Sequence, residues 1–261
     1  MKKRIFAVLM VTMLIVSLCG CGNKKGKTFT VGFDAEFPPY GYMDDNGEYV
    51  GFDLDLAAEV CERNGWELVK RPIDWDSKDM ELSSGSIDCI WNGFTINGRE
   101  SAYSWSSPYV DNSQVFVVTE DANITDFAGL AGKQVGVQRD SSALSALNNE
   151  EVPENIELRD SFGSLTEYGD YNTAFMDLEA GALEAVAMDI GVANYQVESR
   201  NGGFVILSDY LATEKYGVGF LLGNIELRDK VEKTLQDMVA DGKFMEIAEK
   251  WDLQDSVCLG K

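Results

Sequence analysis

The chain has 261 residues and no histidine, and its 22 lysines and arginines against 44 aspartates and glutamates leave a formal net charge of −22. Such acidity argues against nucleic acid as a partner. The lack of histidine excludes Ser-His-Asp and Cys-His catalysis and the usual histidine metal sites. We therefore expect no catalytic residues, no metal and no cofactor.

The N-terminal residues predict a targeting segment. Basic residues at positions 2–4 precede an apolar run over 5–18, which is typical of a secretory signal and too short for a comfortable membrane span. Leu-Cys-Gly-Cys resembles the lipobox of bacterial lipoproteins, which implies cleavage before Cys21 and a lipid on its thiol. We predict a signal peptide over 1–20 and a lipidated tether over 21–27. An ordinary signal peptide with an incidental cysteine is the alternative.

Beyond the tether, predicted strands and helices alternate along the chain. Apolar periodicity, caps and glycine stops predict, in chain order, a strand at 28–33, a hairpin turn at 44–47, a helix at 52–63, a strand at 66–71, a helix at 77–84, strands at 87–91 and 114–119, a helix at 127–132, a strand at 134–137, helices at 141–147 and 170–180, a strand at 184–188, a helix at 190–200, a strand at 217–222, and helices at 225–240 and 243–251. This alternation indicates an α/β protein with a largely parallel sheet covered by helices. We expect Cys61 and Cys89 to be buried core residues.

One nine-residue frame, Leu-x-x-Gly-x-[Ile/Leu]-[Asp/Glu]-x-[Ile/Val], occurs at 82–90 and again at 178–186. Each copy is typical of a helix end, a glycine stop and the start of a buried strand. The repeat predicts two similar lobes, although helix-glycine-strand junctions are also common in unrelated α/β proteins.

The residues after each copy carry opposite charges. The first copy leads through a loop to Arg99, whose guanidinium can hold a carboxylate with two hydrogen bonds. The second leads to Asp189, whose carboxylate accepts hydrogen bonds from an ammonium group. Because ligands bind beyond the carboxyl ends of such strands, the pair suits a zwitterion. The alternatives are a surface salt bridge for Arg99 and a helix N-cap for Asp189.

Several stretches together resemble one family, and they are spread over nearly all of the chain after the tether. They are residues 31–40, 50–57, 87–99, 107–109, 132–137, 185–189 and 241–243. The chain resembles the bacterial extracellular solute-binding proteins for polar amino acids, family 3, which feed ABC importers. The resemblance implies a type II periplasmic-binding-protein fold, in which two α/β lobes enclose a ligand cleft. It places lobe 1 at 28–111 and 213–261 and lobe 2 at 112–212.

The resemblance also implies how the main-chain groups of an amino acid are held. Arg99 would bind the α-carboxylate, and Asp189 would bind the α-amino group. The residues implied to help through side chain, backbone or a helix N-terminus are Gly93, Thr95, Ser141 and Ser142. The family commonly places the arginine five residues after the threonine, whereas Arg99 comes four residues after Thr95, and Gly98 would let this shorter loop bend. Asp140 stands where a glycine often precedes the Ser/Thr pair.

The implied side-chain pocket is partly acidic and partly aromatic. Asp34, Phe37 and Trp75 match pocket positions, and Trp91 and Gln138 are further candidates, although Phe37 and Trp75 could instead be core residues. Glu36 and the overall acidity favour a cationic side chain, whereas the aromatic residues favour a cystine-like one. We expect the ligand to be a polar free amino acid of one of these kinds.

These features predict a monomeric, extracytoplasmic receptor, anchored to the outer face of the cell membrane by its lipid. It would bind an amino acid between closing lobes and deliver it to an ABC permease and ATPase. One alternative is an amino-acid sensor acting through a separate partner. Another is a dehydratase-like enzyme on the same scaffold, with carboxylates as acid and base.

Overall fold

The computed structural model describes residues 26–200 and 202–261, so the predicted signal peptide and Cys21 lie outside the described residues. The strands are β1 (Thr28–Phe33), β2 (Glu36–Phe37), β3 (Gly41–Met43), β4 (Tyr49–Val50), β5 (Glu67–Pro72), β6 (Cys89–Ile90), β7 (Tyr103–Trp105), β8 (Val110–Thr119), β9 (Gln134–Gln138), β10 (Ser164–Tyr168), β11 (Ala185–Asp189), β12 (Phe204–Ile206), β13 (Ala212–Tyr216) and β14 (Gly219–Leu221). The helices are α1 (Phe52–Asn64), α2 (Lys78–Ser83), α3 (Ser142–Leu147), α4 (Pro153–Ser161), α5 (Tyr171–Glu179), α6 (Ile190–Ser199), α7 (Ile225–Ala240) and α8 (Lys243–Lys250).

The first sheet has the strand order β5-β1-β6-β14-β7. Strands β5, β1 and β6 are parallel, whereas β14 is antiparallel to both of its neighbours. Because β14 comes late in the sequence, the C-terminal part of the chain returns to the sheet that its beginning forms. Strands β2, β3 and β4 form a separate antiparallel sheet, and the turn between β3 and β4 lies at the predicted position.

The second sheet has the order β10-β9-β11-β8-β12. Strands β10, β9 and β11 are parallel, and β8 is antiparallel to β11. The first half of β8 also pairs with β13, so that Asn112 lies opposite Glu214. The two segments that connect the sheets therefore run side by side. The lobe limits predicted from the resemblance fall within or next to these strands and stay a prediction.

The repeated frame occupies equivalent places in the two sheets. Strand β6 lies between a parallel and an antiparallel neighbour, and so does β11. Gly85 and Gly181 both have φ 75°, a left-handed conformation that glycine adopts without strain. Each donates its N–H to the leucine carbonyl three residues earlier, as a helix C-cap does. The prediction of two similar α/β units is confirmed.

Some predicted elements differ in extent or type from the observed ones. The strand predicted at 87–91 is limited to β6, and the one predicted at 114–119 begins at Val110. The helix predicted at 127–132 is a 3₁₀ segment, Phe127–Leu130. Each sheet contains a reversed strand, so "largely parallel" is corrected to mixed. The sequence patterns did not indicate β7, β10, β12, β13 or α4. Two of these lack an apolar face, since Asn155 is the one buried residue of α4 and no residue of β10 is buried.

The core is apolar and joins helices to both sheets. Phe52, Leu56 and Val60 on one face of α1 are fully buried, which is the predicted amphipathic pattern. The thiols of Cys61 and Cys89 are buried as predicted. Within residues 26–200 and 202–261, no helix combines the length and apolarity that a membrane span requires.

Candidate functional site

Polar side chains from the two sheets meet across a cleft. Gln138 Nε2 of β9 donates to Asp34 Oδ2 at 2.7 Å, and Arg99 Nη1 donates to Ser142 Oγ at 3.0 Å. Lys78 of α2 forms an ion pair with Asp140, which lies two residues after the end of β9. The structure thus brings four sequence-predicted site residues together in two pairs, Asp34 with Gln138 and Arg99 with Ser142, each of which spans the cleft.

Arg99 lies at the end of the loop that follows β6. Gly98 has φ 78°, the left-handed conformation that lets the short loop turn before Arg99. The guanidinium donates to backbone and hydroxyl oxygens only, at Thr95 O (3.4 Å), Asp140 O (3.3 Å) and Ser142 Oγ. Among the described residues no carboxylate forms a salt bridge with it, so the surface salt-bridge alternative is wrong. This cation is therefore available to an external anion.

Asp189 is the last residue of β11 and is 4% exposed. It occupies the N-cap position of α6, but its side chain makes no capping hydrogen bond, so the N-cap alternative is wrong. Its Oδ1 accepts from Tyr216 Oη at 2.6 Å, Gln114 Nε2 at 2.7 Å and Asn112 Nδ2 at 2.8 Å. Burial raises the pKa of this carboxyl, since the hydrogen bonds only partly offset desolvation.

A second buried carboxyl group lies beside Asp189 and was not indicated by the sequence. Glu214 is 7% exposed, and its Oε1 accepts from Thr95 Oγ1 at 2.8 Å. The predicted helper Thr95 therefore donates its hydroxyl to a protein carboxyl group. Burial, followed by the charge of Asp189, raises the pKa of Glu214 to about 7. The only local signal is the alternation of Glu214 and Tyr216 on one face of a strand.

The backbone of Gly93 is held from within the lobe. Its N–H donates to Asp53 Oδ2 at 2.6 Å, and Tyr109 Oη donates to the same carboxylate at 2.9 Å. A Cβ at Gly93 would lie 2.8 Å from Phe37 Cε1, which explains the glycine. Trp91 is fully buried in the core beside these residues, away from the cleft surface. The N–H of Gly93 and the Trp91 side chain are thus engaged in supporting the loop.

The predicted side-chain pocket opens next to Asp34. A cavity of about 650 Å³ is lined by six acids, Asp34, Glu36, Asp74, Asp76, Glu81 and Asp170, and by Trp75, while Arg139 is the one basic residue among its described lining residues. Burial raises the pKa of Asp34 to about 6. Phe37 is 6% exposed, and its ring packs against that of Tyr171, so it is a buried residue and does not line this cavity.

The two serines differ in their contacts. Ser141 Oγ accepts the N–H of Leu144 at 3.1 Å and so caps α3. Ser142 instead contacts Arg99 across the cleft through its hydroxyl. Of the two, Ser142 is the one whose side chain meets the predicted carboxylate partner.

Comparisons with known proteins match both the sequence and the fold. Residues 29–254 match the bacterial extracellular solute-binding proteins, family 3. The L-cystine-binding protein TcyJ of Escherichia coli K12 is 27% identical over 231 residues, which cover 87% of this chain and 84% of TcyJ. An ABC uptake transporter substrate-binding protein from Streptococcus pneumoniae, solved with bound histidine, is 32% identical with a TM-score of 0.83, covering 88% of this chain and 94% of that one. An ancestral arginine-binding protein, solved with arginine, is 34% identical with a TM-score of 0.78, covering 87% and 99%.

These similarities confirm the predicted type II periplasmic-binding-protein fold, with two α/β lobes and a cleft between them. The relatives named above are binding proteins for amino acids or cystine, and the family is extracellular. The family match extends over both sheets and over the loops that carry Arg99 and Asp189. The chain belongs to the bacterial extracellular solute-binding proteins, family 3.

Proposed function

We propose that this protein is a lipid-anchored receptor that binds a free amino acid between its lobes and delivers it to an ABC permease. The observation that carries the proposal is the pairing of Arg99 and Asp189. Arg99 comes after β6, and Asp189 ends the equivalent strand β11 of the second sheet. Arg99 is a cation without a carboxylate partner among the described residues, and Asp189 is a buried acid. A ligand with both a carboxylate and an ammonium group would satisfy both.

The acidic cavity supports an amino acid with a cationic side chain. Six acids and one arginine line it, and that arginine lies 3.5 Å from Asp76. A guanidinium or ammonium group entering this space would meet an excess of negative charge, and Trp75 could pack along its stem. A neutral side chain would leave these carboxyl groups without a counter-charge.

Calorimetry against the twenty amino acids plus cystine and ornithine tests both the receptor function and the preference for a cationic side chain. We expect arginine or lysine to bind most tightly and the neutral isostere citrulline to bind about 10–100-fold more weakly. Asp34→Asn should weaken the cationic ligand by about tenfold and leave citrulline nearly unchanged, because it removes a buried charge next to the cavity. Glu62→Gln, on the exposed part of α1, is the charge-matched control and should change neither.

Two outcomes would contradict this assignment at different levels. Tighter binding of cystine or of a neutral amino acid would overturn the cationic side chain and leave the receptor in place. Binding of no amino acid at all would overturn the receptor. Turnover of arogenate or prephenate would instead favour the dehydratase-like alternative.

The lipid anchor is supported by the N-terminal sequence alone, whose Leu-x-Gly-Cys ends at Cys21. We expect the full chain to fractionate with membranes and Cys21→Ser to appear in the soluble extracellular fraction, because a diacylated cysteine would supply the only anchor we propose. Fractionation and immunoblotting measure this. A Cys21→Ser variant that is exported and still sediments with membranes would contradict the anchor.

A further inference from the structure

The feature that the proposed function leaves unexplained is the contact between two buried acids. Asn112 Nδ2 lies 2.8 Å from Asp189 Oδ1 and 2.7 Å from Glu214 Oε1. Gln114 Nε2 lies 2.7 Å and 2.8 Å from the same two oxygens. Two amide groups therefore bridge one oxygen of each carboxyl group and hold the acids side by side.

No protein cation balances this pair within the described residues, since neither acid takes part in a salt bridge there. The titratable groups that face it are the hydroxyls of Tyr40, Tyr171 and Tyr216, and burial raises the pKa of each well above the ordinary value, so they are neutral. Two adjacent carboxyl groups in such a site do not both ionise readily, because each charge opposes the other and burial opposes both. Without ligand, the pair therefore retains a proton below about pH 7.

Glu214 also borders open space beside the loop that carries Arg99. It lines a cavity of about 410 Å³ together with Gly98 and Ser142, which adjoin Arg99 in sequence and in space. Its Oε1 accepts from Thr95, on the loop that carries Arg99. Glu214 thus contacts both the amides that hold Asp189 and the loop that carries Arg99.

We propose that Glu214 is a second acidic partner of the ligand's ammonium group, and that the Asp189–Glu214 pair releases one proton when that group binds. The inference rests on the proposed function. The charges balance: a pair with one proton carries one negative charge, and after the proton leaves for solvent, two negative charges face one ammonium. The ammonium replaces the proton as the counter-charge of the pair.

Calorimetry at about pH 6 in two buffers of different ionisation enthalpy counts the released protons. For the wild-type protein we expect close to one proton per ligand at about pH 6 and fewer at about pH 8.5, because burial raises the pKa of Glu214 to about 7. As pH rises towards about 7, the dissociation constant should fall by at most about tenfold per pH unit. Above about pH 7 it should change less steeply. The deaminated analogue of the same amino acid is the ligand control, and it should release no proton from this pair.

Glu214→Gln keeps the size and the acceptor oxygen of the side chain while removing its charge. We expect it to abolish most of the proton release at about pH 6 and to weaken binding by about tenfold at about pH 8.5. An unchanged proton count, or binding at pH 8.5 within about twofold of wild type, would overturn the inference. Burial also raises the pKa of Asp34 and of Asp53, so the comparison between the two proteins, and not the absolute count, identifies the pair.

Stability of the empty protein supplies a readout that needs no ligand. The folded pair holds a proton that the unfolded carboxyl groups release, so this pair's contribution falls as pH rises from about 4.5 to about 7. Glu214→Gln should therefore unfold at a higher temperature than wild type at about pH 8 and at a similar temperature near pH 4.5. If the wild-type protein binds an amino acid without releasing a proton, this inference fails, but the proposed receptor function does not. If the wild type binds no amino acid, the receptor fails first.

Discussion

Asp189→Asn is expected to lower the affinity for the amino acid by about two to three orders of magnitude. The donors of Asn112, Gln114 and Tyr216 converge on Asp189 Oδ1, so they would hold the oxygen of an asparagine in the same place. The new NH₂ group would then point at the ligand's ammonium. The substitution removes the attraction and places a donor against a donor, which costs more than loss of one neutral hydrogen bond.

Calorimetry on the amino acid and on its deaminated analogue separates the role of Asp189 from a general loss of structure. The analogue should bind the wild-type protein weakly, and Asp189→Asn should weaken it little further, because the partner of Asp189 is already absent. Urea unfolding checks that the variant is folded, and Asp209→Asn, an exposed carboxylate, is the matched control. An affinity within about tenfold of wild type would show that Asp189 does not hold the ammonium group.

The two strand ends could be predicted from the sequence because the repeated nine-residue frame contains local signals for them. Gly85 and Gly181 are stops that need a left-handed backbone, and both adopt φ 75°. A buried strand begins after each glycine, and its carboxyl end lies a few residues further along the chain. Asp189 lies eight residues after Gly181 and Arg99 fourteen residues after Gly85, so both are predicted from local sequence, the range over which periodicity and caps act.

Glu214 could not be found in this way. Its position beside Asp189 depends on the pairing of β13 with β8, in which Glu214 lies opposite Asn112 across more than a hundred residues of sequence. The segment carries Lys215 as well, so its pattern indicates an exposed strand or a loop as readily as a buried site. One residue of register shift would have turned Glu214 outward and Lys215 inward. Only the tertiary structure decides between these alternatives.

Arg99→Met is the second substitution with a large expected effect, again about two to three orders of magnitude in affinity. Methionine retains an apolar stem over the ring of Phe94, which the guanidinium carbon faces at 5.4 Å, while the cation is lost. The nearby cation, Lys78, is paired with Asp140 and is not free to replace it. The affinity of Arg99→Lys should lie between those of the wild type and Arg99→Met. Lysine keeps the positive charge, but its ammonium cannot make two parallel hydrogen bonds to a carboxylate.

A decarboxylated amine of the same amino acid distinguishes two roles for Arg99. If the guanidinium binds the carboxylate, the amine should bind wild type and Arg99→Met about equally, and only the amino acid should lose affinity. Arg99 also contacts Ser142 across the cleft, so it could instead act by holding the lobes together. In that case both ligands would lose affinity alike, and Ser142→Ala, which removes the contact and keeps the cation, would reproduce much of the loss. A loss confined to the amino acid, with Ser142→Ala close to wild type, assigns the carboxylate to Arg99.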